Sequence, residues 1–504
     1  MPSLTRHILA STALTLLAPA AFADLSADDV WNDWKTYISS FGYEVTGQEN
    51  RAGNVFSVTG VTMTTGPDAA GGAATIAMDQ IVMTEQSDGT VTIDLPTVMP
   101  FEMATPSETG GTTRISMDYR HTDLAIVASG TPENMRYDYE ADSVTLESTG
   151  FEVDGQILPP ESNVIEIVFE DMTGDTEMTL DAQRRYTQAL QVGNVRYAFK
   201  VSAPEADATS DITGQTSDIT FSGDSVIPLR AIDPGDIDAM LAAGFTADGT
   251  FTFAANAMTL ALSGEDGAVD ASVLAGDGDL DMVMGPDGMT YEVTQNDLEV
   301  EITSAQFPVP INFDVAKSAF NMAMPLRKSD TPDDFALGFN LEGFSVSDAI
   351  WGLFDPTSQI PRDPATIALD LVGKGRLLFD FLDPSAADVS NDPDITPAEI
   401  DALDIQRVQI TAAGAELTGQ GAFEFDNSAD GAPQPQGSVD LKLTGGNGLI
   451  DKLVATGLLP EEQAMGARMM MGLLAVPGAE PDTLNSKIEI NAEGHVLANG
   501  QRIQ

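Results

Sequence analysis

The sequence contains no cysteine, which excludes disulfide staples, thiolate metal sites and thiol nucleophiles together. Histidine is almost as scarce, with three in 504 residues. His121 and His495, the two beyond the leader, stand in neither a nucleophile-elbow nor a zinc-ligand pattern. Both are expected in surface turns. No phosphate-cradling glycine loop or dinucleotide fingerprint is present. Basic residues are few: 23 Lys and Arg against 78 Asp and Glu give a formal net charge of −55. Such a field repels nucleic acid and anionic bilayers, which proteins grip with Lys and Arg. The acids are spread along the chain, which suits solubility in a salty exterior better than capture of a cationic partner. Beyond the leader, no stretch approaches the roughly 20 apolar residues of a helical membrane span.

Two acidic runs invite comparison with calcium loops. Asp277-Gly278-Asp279-Leu280-Asp281 opens like an EF-hand, but Met282 stands where the loop needs glycine and Gly288 where it needs glutamate. Asp426, Ser428, Asp430 and Gly431 fit better, yet Gly437 again replaces the glutamate. No metal and no cofactor is expected. Carboxylates are so plentiful that no pair stands out for glycoside hydrolysis, and a carboxylate-using hydrolase is the outside alternative to a non-enzyme.

What the chain does have begins with a leader. Arg6 and His7 precede a short apolar run, Ile8 to Leu17, and Ala21-Phe22-Ala23 gives the small-x-small pattern cut by signal peptidase. Residues 1–23 are therefore expected to be a cleaved signal peptide, delivering the chain to the periplasm. Ser26 and Asp29 then open an amphipathic helix whose stripe is Val30, Trp34, Ile38 and Phe41, beside Trp31, with Gly42 as its stop.

After that the period becomes two. Val91, Ile93 and Leu95 alternate with polar residues, as do Ile115, Met117 and Tyr119; Val195, Tyr197, Phe199 and Val201; Met258, Leu260 and Leu262. Leu298, Val300 and Ile302, then Phe335, Leu337, Phe339 and Leu341, then Val439, Leu441 and Leu443 continue it. One-sided runs of this kind are antiparallel strands with one face buried. Turn signals stand at Ser87-Asp88-Gly89, Thr149-Gly150, Asp154-Gly155, Asp266-Gly267 and Pro286-Asp287-Gly288. Short helices are expected at Pro234 to Ala243, from Ser347 to Phe354, and as a pair at Leu449 to Val454 and Pro460 to Leu474. Ala203 to Gly223 and Pro384 to Pro397 look like polar loops or boundaries. Met469-Met470-Met471 reads as core filling, with a flexible surface that adapts to apolar ligands as its other reading. The fold class is mainly β, with minor helix: a long, curved, largely antiparallel sheet capped by a few short helices. Regions 24–230, 231–330 and 331–504 divide the mature chain.

Between Phe307 and Asp383 the sequence runs through Phe307-Pro308-Val309-Pro310, Leu341-Glu342-Gly343, Ser347-Asp348-Ala349-Ile350-Trp351, Phe354-Asp355-Pro356 and Pro361-Arg362-Asp363-Pro364. With Leu417-Thr418-Gly419-Gln420-Gly421 and the helix pair, this resembles the alphaproteobacterial domain of unknown function 2125 family. The resemblance implies an exported envelope protein and carries no catalytic residue over. The closing pattern is also similar to the C-terminal part of AsmA-like proteins, which implies a curved sheet with an apolar groove for lipid or another amphiphile. A self-packed envelope scaffold that binds another envelope protein is the alternative. Within the resembling segment, Trp351 and Phe354 share a helix face that Asp355-Pro356 ends. Arg362, between Pro361 and Pro364, is expected to pair with Asp355 or Asp363 and lock the loop; holding a ligand phosphate or carboxylate is its other reading.

Overall fold

The computed structural model describes residues 25–65, 73–106, 111–203, 208–229, 232, 236–265, 267–380, 382, 397–428 and 433–504. The leader with Ala21 and Ala23, Pro234, Asp266, Asp430, Gly431 and residues 384–396 lie outside them.

Among the described residues, 27 strands form one sheet. Every ladder between them is antiparallel, and the chain winds back and forth so that nearly every strand pairs with the next. Four strands are broken into collinear halves. Val91–Asp94 and Val98–Pro106 share the partner Ala73–Glu85, and Thr112–Thr122 and Ala125–Thr131 share Asn134–Val153. Thr246–Phe253 and Ala255–Gly264 lie likewise along Ala208–Ile227, and Gly267–Ala275 and Gly278–Gly285 lie along Gly288–Ser304. The expected mainly-β class is what the chain adopts.

Several local expectations need correction. From Ala208 on, the segment expected as a loop or boundary is a strand: Ala208–Ile227 is paired with Arg184–Ala203 along its length. Its apolar face is held by Ile212, Gly214, Ile219 and Phe221, too sparse a set to stand out in sequence. Thr149-Gly150 lies inside the strand Asn134–Val153, beside a register shift at Ser116 and Met117, rather than in a turn. His121 closes the strand Thr112–Thr122 and its Nε2 lies 3.0 Å from the Pro96 carbonyl; the turn is at Asp123. His495 does sit in a turn, its amide donating to the Asn491 side chain at 3.0 Å.

The N-terminal helix is Ala27–Ser40, with the Ser26–Asp29 capping box formed in both directions and Gly42 left-handed at its end. Its buried face is rotated from the expected stripe. Ala27, Val30, Trp31 and Asp33 are buried, Trp34, Tyr37 and Ile38 pack partly, and Phe41 is 52 % exposed. Burying Val30 and Trp31 contributes about 1.5–3 kcal/mol each. Glu85 accepts from the Ala27 amide at 3.0 Å and Glu49 from Trp31 Nε1 at 2.7 Å, tying the helix to the first strands.

A line of irregular residues crosses the sheet at mid-strand. Following the pairings, Asp123, Asp142, Asp171, Gly193, Asp218, Ala254, Gly276 with Asp277, Asp297, Ala316 and Gly343 are successive neighbours, and the rung is missing at each. Asp123, Asp171, Asp218, Asp297 and Gly343 are left-handed, with φ of 51°, 53°, 49°, 49° and 71°. Asp and Gly are the residues that reach this conformation most cheaply. An extended residue sends the next side chain to the opposite face, and a left-handed one does not. The alternation therefore shifts by one residue at the line. In Asn163–Leu180 the apolar set is Ile165, Ile167 and Phe169 before Asp171, but Met172, Met178 and Leu180 after it. In Arg184–Ala203 it is Tyr186, Leu190 and Val192, then Val195, Tyr197, Phe199 and Val201. The apolar residues thus stay on one face. Val58 and Val61 on either side of left-handed Gly60, with Met78 and Ile81 on the facing strand, share one core cluster.

Candidate functional site

The two faces of the sheet differ in chemistry. The outer face carries cross-strand ion pairs: Arg136 with Asp175 and Glu177, Arg196 with Glu170, Arg407 with Asp370 and Arg376 with Glu399. Exposed pairs of this kind add little stability each, but they keep the face wet.

The inner face is apolar and unevenly covered. Under the N-terminal helix it is a dry core containing Phe56, Val58, Ile81, Met83, Val91, Met178 and Tyr186. Farther along, the side chains next to the mid-strand line are the deep ones: Val144 is 5 % exposed, Val192 3 %, Ile219 8 % and Val315 3 %. Away from that line the same face opens, with Val201 at 58 %, Leu262 at 39 % and Phe339 at 42 %. Depth along a midline with exposed flanks is the form of a trough. A sandwich would bury the flanks as well.

Flat rings pave this trough. Each lies across a glycine on the neighbouring strand: Tyr139 over Gly174, Tyr197 over Gly214, Phe253 over Gly278 and Phe335 over Gly373. A Cβ added at Gly214 would come within 2.4 Å of the Tyr197 ring. Strand glycines left bare by their own lack of side chain are covered in this way.

One end is closed by a buried polar cluster that links the helix to the sheet. Tyr137 donates to Asp33 at 2.8 Å, Arg184 pairs with the other Asp33 oxygen, and the same Arg184 nitrogen donates to the Tyr186 hydroxyl at 3.0 Å. Tyr37 stacks edge-on against Tyr186 at 5.0 Å between centroids. Burial, and then the Asp33 charge, push both the Tyr137 and Tyr186 hydroxyls well above the ordinary tyrosine range, so both remain neutral, Tyr137 as donor to Asp33 and Tyr186 as acceptor from Arg184. Sequence reasoning missed this cluster. Its only signal was an acid, Asp33, set three residues after Val30 on the face that carries the aromatics.

The Trp351–Pro364 segment forms a compact loop, with different partners from those expected. Asp355 is fully buried, and its carboxylate accepts the amides of Gln359 at 2.9 Å and Ile360 at 2.8 Å. Arg362 pairs with Asp348 at the start of helix Asp348–Phe354, not with the Asp355 or Asp363 carboxylate. It also reaches Ser358 Oγ at 3.0 Å and lies over the Trp351 ring at 5.7 Å. Trp351 and Phe354 are in ring contact at 4.9 Å, while Pro356, Asp363 and Pro364 are exposed and Pro361 is half-buried. The helix brings Asp348 round to Arg362, which sequence proximity to Asp355 had hidden. Ser347 occupies the cap position, but its hydroxyl makes no capping bond.

Burial acts to raise the Asp355 carboxyl pKa, but the two amides, with Arg362 nearby, hold it below the ordinary value. A depressed carboxyl stabilises the fold above about pH 4 and loses that contribution as pH falls through its folded value. Asp355→Asn should therefore melt earlier than the parent at neutral pH. The gap, followed by thermal melts, should close as the pH is lowered below that range; a gap independent of pH would show that the charge plays no part.

Among the described residues, no group of three or more His, Asp or Glu side chains is placed to hold a metal ion. No helix among them is long and apolar enough to cross a membrane. No curated protein and no solved structure matches the chain. A family model described as an uncharacterised protein conserved in bacteria (DUF2125) does match, over residues 196–499, from just past Gly193 through the helix pair to the last strands. The chain accordingly belongs to the domain of unknown function 2125 family.

Proposed function

We propose that this protein is an exported, non-catalytic binding protein whose apolar trough holds or passes lipid-like molecules in the periplasm. The observation that carries the reading is the exposure gradient across one face, from Val192 and Val315 at the midline to Val201 and Phe339 on the flanks. A continuous apolar surface of that extent, without a second layer over it among the described residues, is a place for acyl chains rather than a finished core. The leader-like N-terminus and the AsmA-like ending of the sequence point the same way. A self-packed envelope scaffold is the competing reading, and it requires the apolar face to be covered by a second layer of the chain itself.

Native mass spectrometry of the protein purified from the periplasm, with lipid extraction of the same sample, tests the proposal. The expected result is a co-purifying amphiphile, or uptake of added phospholipid, that is lost in Phe339→Glu. Because Phe339 is already 42 % exposed, that variant should fold. A parent chain that carries no amphiphile and takes up no phospholipid overturns the reading.

A further inference from the structure

The C-terminal helix pair, Gly446–Ala455 and Glu461–Leu474, is firmly held to the sheet. Asp482 accepts the amides of Asn447 at 3.2 Å and Gly448 at 2.9 Å, and Arg468 pairs with Asp451 across the two helices. Ser486 and Asn499 donate to the Leu474 carbonyl at 2.6 and 3.0 Å. One side of the second helix packs on this base, with Ala464 fully buried. The opposite side is bare among the described residues. Met465, Met469, Met470 and Leu473 are 65, 72, 50 and 49 % exposed, and a Cβ added at Gly466 or Gly472 would meet nothing within 4 Å. Of the three consecutive methionines expected as core filling, Met471 alone is half-buried. From Ala464 to Leu474 the one charged residue is Arg468, and it is turned to Asp451. A helix that is apolar all round is normally covered on every side. The strand ends beside residues 383–396 and 429–432, Leu377 with Ala398 and Asp426 with Gln434, lie at the opposite edge of the sheet from this pair.

Charge decides what covers this face. Glu462 stands three residues before Met465 and seven before Met469, in line with them on the helix surface. It is exposed, and no cation pairs with it among the described residues. A bilayer pressed onto the methionines would have to desolvate that carboxylate, which is costly without a partner. A second copy of the chain would bring the same acid and the same net charge of −55 against itself. We propose that the face docks an amphipathic helix of a partner protein, one that carries Lys or Arg beside its apolar residues. Met465, Met469 and Leu473 receive the apolar side, as flexible methionine surfaces do, and Glu462 with Glu461 receives the cations. It is this local alignment of acid and methionines, not the acidity of the whole chain, that calls for a basic partner. The surface is separate from the trough, so the inference stands whether or not the trough holds lipid.

Fluorescence anisotropy of a labelled synthetic helix with Leu on one face and Lys on the other, titrated with the intact protein, tests it. The same peptide with Glu in place of every Lys is the control. The Lys peptide is expected to bind one per chain, and the Glu peptide at least about tenfold more weakly. Met469→Glu, at a position exposed enough to fold, should weaken the Lys peptide at least about tenfold. That variant adds a negative charge, which would tighten a purely electrostatic attraction, so its loss of binding reports the apolar contact. Phe339→Glu, in the trough, should leave the affinity unchanged. Unchanged or tighter binding in Met469→Glu, equal affinity for the two peptides, or loss in Phe339→Glu each overturns the proposal. Sedimentation of the parent alone should show a monomer, and flotation with phosphatidylcholine vesicles should show no binding that depends on Met469. A dimer or a vesicle complex that Met469→Glu abolishes gives the face to a second copy or to a bilayer, and the basic helix is then refuted.

Discussion

Replacing Asp33 with alanine is expected to cost about 3–5 kcal/mol of folding stability, the range for breaking a buried ion pair from one side. Asp33 and Arg184 have side chains only 4 % and 10 % exposed. Removing the carboxylate leaves a guanidinium in the core and deprives the Tyr137 hydroxyl of its acceptor. Neither group can turn to water without lifting the helix Ala27–Ser40 from the strands beneath it. Urea unfolding should show the loss, and the fluorescence of Trp31 and Trp34 should shift toward that of exposed indole. The double change Asp33→Leu with Arg184→Met should recover much of the stability, since apolar replacement of a whole buried pair is often neutral or better. A loss within about 1 kcal/mol for Asp33→Ala, as for an exposed pair, would refute the account.

The second large effect is expected at Gly373. A Cβ there would come 2.4 Å from the Ala402 carbonyl oxygen and 2.4 Å from the Phe335 ring. The ring can turn aside, but the carbonyl belongs to a paired strand and cannot. Gly373→Ala should cost about 1–3 kcal/mol, as overpacking generally does. Adding Phe335→Ala should relieve only the ring contact. In denaturant titrations a full recovery by that second change would place the whole strain in the ring and none in the ladder.

The class of the fold was legible because half of each strand alternates cleanly. The runs Val195 to Val201, Leu298 to Ile302 and Phe335 to Leu341 are strands as their period implies, and each stops at the mid-strand line. Beyond it the parity changes, so the other half of the strand looks like noise in sequence, and Ala208–Ile227 looks like a loop. The helix Ala27–Ser40 was legible from its cap and its stripe, though its buried face includes Asp33 in place of Phe41. What pattern could not supply was pairing over distance. Asp33 and Arg184 are 151 residues apart, and nothing local to either marks the other. The Arg362 partner was misplaced for the opposite reason, because nearby acids in sequence concealed one a helix length away.

The missing rungs from Asp123 to Gly343 also have a mechanical meaning. On both sides of that line the strands are stitched together and stiff; along it each ladder lacks one or two stitches. Bending is therefore cheapest about this spine, and the two walls can swing together or apart, as the boards of a book do, with their own pairing intact. The width between the walls is then adjustable from the strand ending at Asp123 to the one holding Gly343, by one and the same motion.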